Sequence, residues 1–296
     1  MALVISDDLM IDYSRRHSDL HYISGVLTDW LRIALVLVLV AATKIWHMEP
    51  VIAAKPWACT EATGKIVNTS VHGMTYQFPV SVSVYLPPCY NALTTSIPVV
   101  YLLHGANADE TQWPDLRIQR SADSIIAETH LPFMVVMPGG NYFYKLDYST
   151  FVLNDLMPAI EGTYGAQAAG CGRAIGGLSL GGYWALKIAF QHRNLFVAAG
   201  GHSPVVSGMG ADAPLALART AKGLNRLSIT LDVGKSDGLK SGTLQLVEAL
   251  KSRSIPVTLA LNAGGHDRHY WRTHSAEYLR FYAKRFNALI CQSNQP

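Results

Sequence analysis

Hydrophobic and polar positions along this chain fall into three regimes. Residues 33–43, "IALVLVLVAAT", form one uncharged apolar run. From Gly64 to Pro88, "GKIVNTSVHGMTYQFPVSVSVYLPP" is β-rich in two segments around a His72-Gly73 turn, and in the second Val80, Val82, Val84 and Leu86 alternate with other residues. A period of two is that of a strand with one buried face, so a β-hairpin is predicted there. Downstream, short apolar runs at 97–103, 132–138, 173–178, 195–201, 226–234 and 255–264 are separated or followed by helical periodicity near 115–129, 150–164, 180–192, 241–253 and 269–288. Strands apolar on both faces and interleaved with helices predict an α/β fold. Its sheet is mostly parallel and covered by helices on both faces, with the N-terminal hairpin as an antiparallel edge. No internal repeat or low-complexity tract interrupts this pattern, so one catalytic-sized domain is expected over residues 64–290, after a linker at 47–63.

The first regime changes the picture of where the protein works. Its 11 apolar residues lie between Arg32 and Lys44, with Trp30 and Trp46 outside them. That is short for a membrane span of roughly 20 residues and suits a signal-peptide h-region. Val40 and Ala42 fit a cleavage site before Thr43, whereas the 29-residue leader is long for a signal peptide. With Arg32 and Lys44 snorkelling, residues 30–46 suit a retained membrane anchor instead. A buried core helix is the third alternative. An extracytoplasmic location, secreted or anchored, is the expectation. The formal charge is +3 with no run of like charges, which gives no footprint for nucleic acid. The four cysteines suit an oxidising compartment, and none forms a CxxC pair. Cys59 and Cys89 are equidistant from Met74, so a regular hairpin brings them roughly opposite each other; Cys171 and Cys291 are then the remaining pair.

The candidate chemistry sits after the strands, where an open α/β sheet carries its sites. In "RAIGGLSLGGYWALKIAF", Gly176, Gly177, Gly181 and Gly182 flank Ser179 between a strand and a helix. Glycine is costly in either element, so its use implies a tight turn in which strand and helix approach too closely for a Cβ, exposing Ser179 Oγ. A serine nucleophile needs a base, and the base needs a carboxylate that fixes its tautomer. Asp237 follows the 226–234 strand and His266 follows the 255–264 strand, in the Ser, Asp, His order of α/β-hydrolases. Asp232 is the competing carboxylate. It alternates into the second face of its strand, where backbone or hydroxyl donors are expected to hold it. An oxyanion hole calls for the Leu180 N–H and one from the His104-Gly105-Ala106 turn, assigned to Ala106. No acidic or cysteine cluster joins the histidines, so no metal is assigned.

With those residues in place, "VSVYLPPCYN", "IPVVYLLHGANADETQW", "PFMVVMPGG", "FVLNDLMPAIEGTYG", "LDVGKSDGL" and "GGHDRHYWR" resemble the putative-esterase (esterase D-like) family of α/β-hydrolases, over about residues 64–288 in order. That family includes S-formylglutathione hydrolases, feruloyl and acetyl xylan esterases, and mycolyltransferases. The resemblance implies a serine esterase without cofactor, with Ser179 as nucleophile, His266 as base and Asp237 as its orienter. Cysteines at 89 and 171 depart from the family pattern. His104, Trp113, Tyr142 and Trp271 follow strand ends and either wall a pocket for a small-molecule or glycan ester or cover the core. Acyl transfer and a non-catalytic binding role are the alternatives to hydrolysis.

Overall fold

A computed structural model describes residues 59–76, 78–93, 96–140, 148–167 and 169–286; the leader, the 30–46 segment, most of the 47–63 linker, Tyr142 and Cys291 lie outside the described residues. The described residues form one compact unit. Its centre is an eight-stranded sheet, made of β1 (Lys65–Val71), β2 (Val80–Leu86), β3 (Val99–Leu103), β4 (Met134–Pro138), β5 (Arg173–Leu178), β6 (Ala198–His202), β7 (Ser228–Gly234) and β8 (Val257–Asn262), in the order β1-β2-β4-β3-β5-β6-β7-β8. β3 to β8 are parallel, and β1 and β2 are added antiparallel through the β2–β4 pair. The fold is that of an α/β-hydrolase, with the antiparallel hairpin at one edge.

Helices cover both faces. α1 (Ile118–Thr129) packs against α6 (Arg268–Ala283), while α3 (Leu180–Gln191), α4 (Pro214–Thr220) and α5 (Lys240–Lys251) pack side by side; α2 (Met157–Tyr164) precedes β5. Alternation divides the strand residues between the layers. Val99, Tyr101 and Leu103 of β3 join the core that contains Leu186, Ile188 and Phe190 of α3. On the opposite face Tyr85 of β2 donates to Asp123 of α1 at 2.7 Å. Because β2 is an interior strand, its second face is buried as well, and Ser83 and Tyr85 are as inaccessible as the valines.

Several boundaries differ from the sequence expectation for identifiable reasons. The hairpin has no two-residue turn at His72-Gly73. The chain leaves the ladder at Val71 and returns at Val80, because the amides of Met74 and Thr75 donate to Asp155, each at 3.0 Å, and Tyr76 is buried. The predicted helix at 115–129 starts at Ile118, since Arg117 has φ +64°, and a separate turn spans Gln112–Asp115. The predicted 150–164 helix is π-type over Phe151–Leu156 before α2 begins. α4, "PLALART", has too few turns for its periodicity to stand out and was not anticipated.

The Cys59–Cys89 disulfide is present, with Cα atoms 5.7 Å apart. The two cysteines are not ladder partners. The register pairs Lys65 with Leu86, and extending it would set Cys59 opposite Ala92. The chain turns out of the ladder after Leu86, and Cys89, at φ +53°, meets Cys59 beyond the last strand pair. Cys171 is also not a free thiol.

Candidate active site

β5 passes into α3 through a single residue, Ser179, at φ +54° and ψ −115°. A side chain rarely adopts such a backbone, so its surroundings must hold it there. The Ser179 amide donates to the His202 carbonyl at 2.9 Å, and the Ser179 carbonyl accepts from the Val205 amide at 3.0 Å. The flanking glycines are explained by contact. A Cβ at Gly177 would overlap the Gly181 backbone, and one at Gly181 would overlap the carbonyl oxygens of Leu103 and His104. The end of β5, the start of α3 and the end of β3 therefore converge on Ser179 with no room for side chains between them.

Two neighbouring loops bring their polar groups to this turn. His266, past the end of β8, has Nε2 at 2.9 Å from Ser179 Oγ, and its Nδ1 lies 2.9 Å from Asp237 Oδ2. The other Asp237 oxygen accepts the Leu239 amide at 2.7 Å. The Asp237 side chain is fully buried while that of His266 is 34% exposed, so the pair is dry on one side and open on the other. A carboxylate opposite Nδ1 assigns the ring proton to that nitrogen and leaves Nε2 as an acceptor facing the serine hydroxyl. The edge of Trp271 stands against the His266 ring, with centroids 4.9 Å apart.

Asp232, the competing carboxylate, faces elsewhere. Its Oδ1 is 2.6 Å from Nδ1 of His202, and its Oδ2 accepts from the hydroxyls of Tyr270 at 2.8 Å and Tyr278 at 2.9 Å. His202 Nε2 in turn lies 3.0 Å from the Tyr282 hydroxyl. Burial first, and then the Asp232 charge, raise the Tyr270 and Tyr278 hydroxyls well above the usual phenol range, so both remain donors. The hydroxyl donors expected for Asp232 are thus Tyr270 and Tyr278 of α6, whereas its third partner, His202 of the neighbouring strand β6, was not anticipated.

The turn after β3 lies beside the serine. A Cβ on Gly105 would stand 3.5 Å from Ser179 Cβ, and the Gly105 amide is held by Gln112 Oε1 at 2.7 Å. Ala106 follows on the exposed side of that turn, and Leu180 provides the first amide of α3, which has no acceptor within its own helix. Of the two alternatives open to the residues after strand ends, pocket wall or core cover, His104 and Trp113 take the second. His104 is fully buried, with Nδ1 2.7 Å from the Gly105 carbonyl and Nε2 3.1 Å from the Gly140 carbonyl, and burial lowers its affinity for a proton. Trp113 is also fully buried, edge-on to His202. Both residues follow a strand end, but the turn folds them inward, so they support the site from behind. Trp271, whose ring meets that of His266, is almost fully buried as well.

Residues 75–289 match the family described as "Putative esterase". Esterase Rv1288 of Mycobacterium tuberculosis is 32% identical over 133 residues, which cover 41% of this chain and 28% of that protein. The endo-1,4-beta-xylanase/feruloyl esterase of Xylanibacter ruminicola is 30% identical over 156 residues, covering 46% of this chain and 19% of that one. The chain thus matches less than a third of the length of these curated relatives. Among solved structures, a ferulic acid esterase superposes with a TM-score of 0.72 at 22% identity, over 76% of this chain and 99% of that one.

Proposed function

Because the chain belongs to the putative esterase family, we propose that it hydrolyses carboxylic esters through an acyl-Ser179 intermediate. The observation that carries this reading is the continuous hydrogen-bonded series Ser179 Oγ, His266 Nε2, His266 Nδ1, Asp237 Oδ2, with 2.9 Å at each contact. His266 takes the hydroxyl proton as Oγ bonds to the ester carbonyl carbon. Asp237 stabilises the imidazolium so formed, and the Leu180 and Ala106 amides receive the oxyanion. Collapse of the tetrahedral intermediate expels the alcohol, which leaves with the proton from His266. Water, deprotonated by the same nitrogen, then attacks the acyl-enzyme and releases the acid, regenerating the Ser179 hydroxyl.

For the substrate we propose an ester of an aromatic acid on a small-molecule or glycan alcohol; two of the similar proteins are named as a feruloyl esterase and a ferulic acid esterase. For the location we propose export, which the Cys59–Cys89 disulfide and the apolar run at 33–43 both favour. The test is turnover of an ester panel, from p-nitrophenyl acetate to methyl ferulate and acetyl-xylan, by wild type and Ser179→Ala. A fluorophosphonate probe should label only the wild type, and Ser179→Ala should lose turnover by several orders of magnitude while remaining folded. Equal turnover by the two proteins would end the hydrolase assignment.

A further inference from the structure

The buried Asp232 cluster reaches the proposed active site through one side chain. Tyr270 is 2% exposed and lies four residues after His266. Its hydroxyl is fixed on Asp232 of β7, the strand paired between β6 and β8. Its ring lies against Gly264, where a Cβ would stand 2.7 Å from Tyr270 Cδ2, and its amide donates to Asp267 Oδ1 at 2.9 Å. Tyr270 thus holds the turn on both sides of His266. Gly264 sits at φ +127°, a backbone that only glycine adopts readily, and its carbonyl accepts the Ser236 amide at 2.9 Å. Ser236 directly precedes Asp237, so the same turn also fixes the loop that carries the carboxylate.

We propose that Tyr270 is a positioning residue for His266: anchored on Asp232 and packed on Gly264, it sets the 264–267 turn so that Nε2 faces Ser179 Oγ and Nδ1 faces Asp237. This rests on the reading of His266 as the base. A hydroxyl on a rigid strand anchor is a means of holding a loop residue to the few tenths of an ångström that proton transfer requires. Tyr278 supplies a matched control within the molecule. It donates to the same Asp232 oxygen from a similarly buried position, but it lies two turns further along α6 and stacks on His202, away from the turn.

The test compares Tyr270→Phe with Tyr278→Phe, measuring kcat and KM on the best ester of the panel together with the second-order rate of fluorophosphonate labelling. Tyr270→Phe is expected to lower kcat and the labelling rate in parallel by about tenfold or more, with KM within about twofold of wild type. Tyr278→Phe should keep both within about twofold, although each variant loses one buried hydrogen bond and should melt at a similarly reduced temperature. Equal losses of kcat in the two variants, or wild-type kcat in Tyr270→Phe, would overturn the proposal. If Tyr270→Phe does not fold, Asp267→Ala releases the other anchor of the same turn from an exposed position and carries the same expectation. His266→Gln separates the two readings. Retained turnover in that variant defeats the assignment of His266 as base, whereas lost turnover alongside a fully active Tyr270→Phe defeats only the positioning role.

Discussion

Asp232 and Asp237 are five residues apart, and their surroundings give them different work. Asp237 offers one oxygen to a single half-exposed histidine and the other to a backbone amide. Asp232 accepts from three buried donors on two other elements. Asp237→Asn therefore keeps the local turn but presents an amide where Nδ1 needs a carboxylate. Its kcat should fall by about 10³ to 10⁴, with little change in melting temperature. Asp232→Asn replaces one carboxylate oxygen by an NH2 group and removes the charge that all three partners face, at a cost of about 1 to 3 kcal/mol. It should melt several degrees lower while losing less kcat than Asp237→Asn. Steady-state kinetics and calorimetry on the two variants check this, and the reverse ranking would mean the wrong carboxylate has been assigned to His266. The different placements of these aspartates were legible in the sequence, because alternation along "RLSITLDVG" puts Asp232 inside a strand and Asp237 past its end. The partners of Asp232 were not. Tyr270 and Tyr278 are 38 and 46 residues away, on a helix whose pitch alone does not say what lies beneath it. His104 and Trp113 show the same limit, since position after a strand gives the end of the sheet and not the direction of a side chain.

At the scale of elements, the order and type of the strands were legible because buried parallel strands are written as short apolar runs. The ends of elements were not, because they are set by contacts with distant segments. The connection between β1 and β2 is the clearest case. It is long because the carboxylate of Asp155, on the π-type segment before α2, collects the amides of Met74 and Thr75. The start of β2 pairs near Pro138, the carboxyl end of β4, so this connection lies at the end of the sheet that carries Ser179. Burial by itself raises the Asp155 carboxyl, but the donors at Thr75 and Met74 outweigh it and hold it below the ordinary range. A depressed carboxyl contributes fully above the unfolded-state value near pH 4, and the contribution is lost as pH falls through the lower folded value. Asp155→Asn should accordingly cost about 1 to 3 kcal/mol at neutral pH. Its penalty should shrink on acidification through the carboxylate range, as wild type loses the same interaction. Urea titrations of both proteins at pH 7 and pH 3 check this, and a penalty that stayed constant between the two would show that Asp155 charge plays no part.

At the scale of the molecule, the disulfide and the proposed site occupy opposite ends of one sheet. Ser179 follows the carboxyl end of β5, as His266 follows that of β8. β2 runs antiparallel to β4, so the turn after Leu86 that carries Cys89 lies where the parallel strands begin, and Cys59, ahead of β1, is at the same end. The bridge therefore ties the edge hairpin to itself without touching any group in the proposed mechanism. Its closed loop spans a sequence separation of 30, for which the chain-entropy treatment gives about 3 to 4 kcal/mol, less whatever strain the native state carries. For a domain of this size, each kcal/mol moves the melting temperature by about 2 to 4 °C. The double variant Cys59→Ser/Cys89→Ser should melt on the order of 10 °C lower, with kcat on the best ester within about twofold of wild type at temperatures where both are folded. Scanning calorimetry paired with kinetics at 25 °C measures both quantities. A large loss of kcat without a loss of melting temperature would mean that the hairpin edge communicates with Ser179 across the sheet, contrary to the separation of the two ends.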